Sequence, residues 1–133
     1  MSELNLFEYF KSLDTNLVIS HCELTDYDFN IAGDKWWLYS LEAEWRITKG
    51  SEILFTKYEL DENNEQFPEK VKAISQLLIG QEISDILPLS DFMIGSENGD
   101  IKFVFTTGIE LHLFATNIDE PWVLRLPGLF FVP

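Results

Sequence analysis

Apolar and polar positions alternate most regularly between Asp100 and Phe114. Ile101, Phe103 and Phe105 alternate with Lys102, Val104 and Thr106. After a short break, Ile109, Leu111 and Leu113 alternate with Glu110, His112 and Phe114. Period two on both sides of a glycine-containing break predicts a β-hairpin. A three-residue loop, Thr106-Thr107-Gly108, puts glycine where a positive φ is wanted. The register then pairs Phe105 with Ile109, Phe103 with Leu111 and Ile101 with Leu113 on one apolar face. On the other face Lys102 opposes His112 and Val104 opposes Glu110. A slip of one residue would turn the apolar face to water, so the register is firmly specified.

The same reading places strands at residues 17–23, 27–31, 35–41, 44–48 and 51–58, as an antiparallel meander. In the third of these, Trp36, Leu38 and Ser40 share one face and Trp37, Tyr39 and Leu41 the other. In the fourth, Trp45 and Ile47 point inward and Arg46 outward. Further strands are expected at 82–87, 90–94 and 122–126, with 129–132 either a last edge strand or a packed tail. A helix is predicted over 2–13, capped by Ser2, with Glu3 in its first turn and a stripe of Leu6, Phe10 and Leu13. A second is predicted over 68–79, where Pro68 starts it, Gly80 stops it, and Val71, Ile74 and Leu78 form the stripe. Residues 59–66 form a polar, acidic loop, and turns are expected at 95–99 and 117–121. Segments 25–47 and 90–114 both run aspartate, aromatic, Gly-Asp, strand, turn, strand, a loose pseudo-repeat of one meander. The expected fold is α+β: antiparallel sheet of about 7–9 strands in two meander halves, with an N-terminal and a central helix packed on it.

Composition adds bounds. A chain of 133 residues favours a single domain, 1–133, with a core that needs neither metal nor disulfide. Eleven Phe and four Trp argue against disorder. One cysteine, Cys22, precludes an intrachain disulfide and suits a reducing cytosol. The first residues carry acids and no basic leader, and no run approaches a membrane span, so a cytoplasmic protein is expected. Charge changes the picture most: 9 basic against 23 acidic side chains give −14. Such a surface repels nucleic acid and anionic membranes and attracts a basic partner, although acidity also serves solubility alone.

Candidate chemistry is sparse. There is no Gly-rich phosphate loop, Cys-x-x-Cys, His-Glu-x-x-His or Gly-x-Ser-x-Gly. His21 and Cys22, adjacent on a strand, face opposite sides and make a poor metal pair. Asp61, Asn63 and Glu65 match the first ligand offsets of a calcium loop, but Gln66 stands where glycine is needed and Lys72 where glutamate is needed. No catalytic residue, cofactor or metal is assigned, and no enzyme is expected. His112 faces Lys102, which disfavours a proton on the ring. Trp36, Trp37 and Tyr39 offer a stacking face for a sugar or small ligand, although aromatics at strand spacing are more often core.

From Trp36 onward the chain resembles a family of small bacterial proteins. The shared features are a Trp-Arg-Ile strand before a Gly turn (Trp45-Arg46-Ile47, then Gly50) and a helix leading into Leu78-Ile79-Gly80 and a Glu-Ile-Ser strand. The hairpin Gly99 to Phe114 and the strand Trp122-Val123-Leu124 complete the set. Small acidic proteins of this type resemble the immunity proteins of contact-dependent growth-inhibition and polymorphic toxin systems. The resemblance implies a stoichiometric inhibitor that binds the C-terminal domain of one cognate toxin, and the acidity points to a basic, nuclease-type domain. Electrostatic steering would then raise the on-rate by roughly 10- to 1000-fold. The candidate contacts are acids on turns: Glu59, Asp61, Glu62, Glu65, Glu97, Asp100, Asp119 and Glu120. Trp36 or Trp37, whichever faces out, supplies an anchor. An aromatic last strand on a sheet edge would permit pairing between copies. The alternative is a small-ligand or carbohydrate-binding module on the Trp36/Trp37/Tyr39 face.

Overall fold

Period-two patterning does produce strands. A computed structural model of the chain describes residues 6–25, 28–41, 44–89, 100–114 and 122–131. The expected strand at 90–94, the turns at 95–99 and 117–121, and Ser2 with Glu3 lie outside the described residues. In chain order come α1 (Leu6–Lys11), β1 (His21–Leu24), β2 (Asp28–Gly33), β3 (Trp36–Leu41), β4 (Glu44–Lys49) and β5 (Glu52–Thr56). A 3-10 turn (Lys57–Glu59) and α2 (Phe67–Leu78) follow. Then come β6 (Ile83–Pro88), β7 (Ile101–Phe105), β8 (Ile109–Phe114), β9 (Trp122–Leu126) and β10 (Leu129–Phe131). The fold is α+β, with ten strands among the described residues, slightly more than expected.

The strands form two antiparallel five-stranded sheets. Sheet A runs β1-β2-β3-β9-β10 and sheet B runs β6-β7-β8-β4-β5. These orders become identical when each strand of the first half is replaced by the strand five places later. Each half is a helix, a three-strand meander and a hairpin, and each hairpin leaves its own meander to complete the other sheet. The pairing of β3 with β9 answers that of β8 with β4. The helices obey the same exchange: α1 packs on β6 and α2 on β1. Where the halves meet, the segments before β1 and β6 pair with each other. Val18 bridges Glu82, the Ile19 amide donates to the Gln81 carbonyl, and the Ile83 amide donates to the Leu17 carbonyl, both at 2.9 Å.

Two sequence expectations change here. The strands at 35–41 and 44–48 are not meander neighbours, because β3 belongs to sheet A and β4 to sheet B. The pseudo-repeat is present in the topology but shifted by one strand, with β3 answering β8 rather than β7. The expected strand 17–23 also divides. Leu17 and Ile19 are buried in the pairing with the second half, whereas His21 is exposed and Leu24 turns inward from β1.

The hairpin keeps its expected register: Ile101 pairs with Leu113, Lys102 with His112, Phe103 with Leu111 and Val104 with Glu110. Gly108 has φ +91°, and its amide donates to the Phe105 carbonyl at 2.9 Å. The inward residues of both sheets join one core, in which the Phe29 ring of sheet A meets the Trp45 ring of sheet B at 4.7 Å. Each fully buried large side chain there stabilises by about 1.5–3 kcal/mol. From α2, Ile74 and Leu78 join that core, as the helical stripe requires. No helix among the described residues is long and apolar enough to cross a membrane.

Candidate partner-binding site

Strand β5 ends at Thr56 because the chain tightens into the 3-10 turn. The Glu59 carboxylate folds back onto that turn, accepting from the Thr56 amide at 2.9 Å and from Lys70 Nζ of α2 at 3.1 Å. Glu59 is thereby committed to joining β5 to α2. Tyr58, between them, is thrown outward and is 77% exposed. Its hydroxyl donates to Glu44 Oε1 across the turn, and this contact pushes the Tyr58 pKa up.

Tyr58 and Glu44 border a cleft of about 380 Å³ at one end of sheet B, with Ile53, Asp100 and Phe114 on its other walls. Arg46 lies in it as the one cation of the lining. Its guanidinium is held from below: Nε donates to His112 Nδ1 at 2.8 Å, and Cζ sits 5.2 Å from the centre of the Phe114 ring. Because Nδ1 accepts, the His112 proton is on Nε2, which donates to Glu110 Oε1 at 2.8 Å. Lys102 Nζ is 3.5 Å from the same oxygen. Burial pushes the His112 pKa down, and the charge of Arg46 pushes it the same way against the pull of Glu110. The hydrogen bond from His112 holds the Glu110 carboxyl below its usual range. The network is thus a neutral imidazole wedged between a cation and an anion. It fixes Arg46, and His112 itself does not line the cleft.

Beyond the 3-10 turn the acidic loop runs on to α2. Asp61, Glu62 and Glu65 are all exposed. Asp61 Oδ1 accepts from the Asn63 amide at 2.9 Å, and Asn64 Oδ1 from the Gln66 amide at 2.8 Å, so the loop is shaped by its own side chains. None of the three acids is in an ion pair with a described residue. Asp100 lies at the cleft, whereas Glu97, Asp119 and Glu120 are outside the described residues. Of the two tryptophans, Trp36 is 1% exposed and points into the core, so it is no surface anchor; the outward ring is Trp37. The three-ring stacking face therefore reduces to Trp37 and Tyr39, the latter 41% exposed. Tyr58 escaped the sequence reading, because period two extended β5 through it.

No protein-family model matches the chain, and no match is found among curated proteins or solved structures.

Proposed function

We propose that the protein is a stoichiometric inhibitor of the immunity type, which binds the basic C-terminal domain of a cognate toxin and blocks it by contact. The observation that supports this most is an exposed aromatic side chain set among acidic side chains. Tyr58 stands over a cleft bearing Glu44 and Asp100, three residues before Asp61, in a chain of net charge −14. Interfaces draw most of their affinity from a few such desolvated aromatic anchors, and the surrounding charge supplies rate and selectivity. In this reading Tyr58 is the anchor, with Asp61, Glu62, Glu65, Glu44 and Asp100 as the acidic surround. Glu59 holds the turn that presents them.

The test is calorimetry against the toxin domain encoded beside this protein's gene, at low and high salt. A one-to-one complex loosened by salt is expected. Tyr58→Ala should weaken it by about 30-fold or more. Lysine at positions 61, 62 and 65 together should weaken it further and flatten its salt dependence. Absence of a complex, or one indifferent to both changes, would overturn the proposal.

A further inference from the structure

Most of this surface is anionic, yet one cleft gathers cations. It lies at the end of sheet A where pairing of β3 with β9 sets the β2–β3 turn beside the β9–β10 turn. Its volume is about 530 Å³, within the range of about 300–1,000 Å³ usual for small-molecule sites. Lys35, Arg125 and Trp37 line it, together with Gly33, Pro127 and Gly128, and no described carboxylate does. Lys35 and Arg125 are exposed, and neither is in an ion pair with a described residue.

The walls are fixed before any ligand arrives. Trp36 Nε1 donates to the Val18 carbonyl at 3.2 Å, and the Tyr9 hydroxyl of α1 donates to the Pro127 carbonyl. Phe130 meets the Trp37 ring edge-on, with centroids 5.8 Å apart. The other half of the molecule shows that this cleft is not a by-product of topology. There the positions equivalent to Trp37, Arg125 and Lys35 hold Glu110, Thr48 and Gly108. Lys35 keeps φ at +65°, a conformation its counterpart Gly108 meets without a side chain.

We infer that this cleft binds a small planar anion, an aromatic ring carrying a carboxylate or phosphate. The ring lies against Trp37 and the anionic group meets the Arg125 guanidinium and the Lys35 ammonium. Arginine suits this task because its planar fork pairs with two oxygens at once. The site is independent of the Tyr58 cleft, and its test does not involve a toxin.

The experiment is a titration of the full chain with phenyl phosphate, indole-3-carboxylate and neutral indole, followed by amide and indole NMR shifts. Saturable shifts are expected at Trp37, Arg125 and Gly128, with the carboxylate binding about tenfold or more tighter than indole. Arg125→Gln and Lys35→Asn should each lower anion affinity by about tenfold or more. Asparagine tolerates the positive φ, so K35N removes the charge without a folding defect. Equal affinity for indole and the anions, shifts elsewhere on the surface, or no saturable shift at millimolar probe would each overturn the inference.

Discussion

Sheets A and B share a strand order but carry unlike residues on their outer faces. Where sheet A sets Tyr39 beside Val123, sheet B sets His112 beside Arg46; where A has Trp37 opposite Arg125, B has Glu110 opposite Thr48. Inside, the two agree at several positions. Trp122 and Trp45 occupy matching buried positions, as do Leu124 and Ile47, Leu38 and Leu111, and Ile31 and Phe103. Even the edges correspond, with Phe130 on β10 53% exposed and Ile53 on β5 54%. The contrast separates two constraints. Inward positions must fill a common core, whereas outward positions in the middle of each sheet are free to carry an aromatic surface in one half and a charged network in the other.

Core truncation should strike both halves alike and hardest. Phe103→Ala is expected to cost about 3–5 kcal/mol and its counterpart Ile31→Ala about 2–5 kcal/mol in denaturant unfolding. A near-neutral result at either position would break the equivalence of the inner faces. A smaller loss should expose where the halves pack differently. Gly33 answers to Phe105, because the first half puts the large ring of Trp36 opposite its small residue. A Cβ at Gly33 would lie 2.0 Å from the Val18 carbonyl oxygen and 2.1 Å from Trp36 Nε1. Gly33→Ala should therefore cost about 1–3 kcal/mol, read as a drop in unfolding midpoint.

The mildest change sharpens the comparison of outer faces. Arg46→Val with His112→Tyr would give sheet B the centre of sheet A. The His112 pKa is lowered on folding, so the unfolded chain takes up the proton first as pH falls through 6.5, the ordinary value. The contribution of the neutral ring is whole above that value and is lost as pH drops toward the folded one. Glu110, also lowered, adds a second loss as pH falls below its ordinary 4.5. The double variant should flatten the fall in stability between about pH 7 and about pH 5 seen by denaturant midpoint. An unchanged slope would show that other groups set it.

Much of this was legible in the chain. The hairpin register, the alternation of Trp45 and Ile47 against Arg46, and the helix after the acidic loop all follow from local periodicity, which the core then enforces. What escaped was non-local. Period two says that residues 35–41 and 44–48 are strands but not which edge each will meet, so their division between two sheets left no local trace. For the same reason the repeat came out one strand displaced. Alternation sets Trp36 and Trp37 on opposite faces without saying which is buried; that depends on β9 and on Gly33. Tyr58 was hidden because a 3-10 turn interrupts the strand period. At His112, Lys102 does oppose the ring, but burial and Arg46, brought from a distant strand, weigh more.

The exchange of hairpins has a consequence for how the protein is made. The strand that covers the β3 edge of the first meander is β9, far downstream of it in the sequence. At about 5–20 residues per second, a nascent chain waits on the order of 10 s between releasing β3 and releasing β9. Throughout that interval the first meander carries an apolar inner face and an unpaired β3 edge, and neither half can finish its own sheet. Assembly of sheet A therefore waits on β9, which closes a meander released well before it.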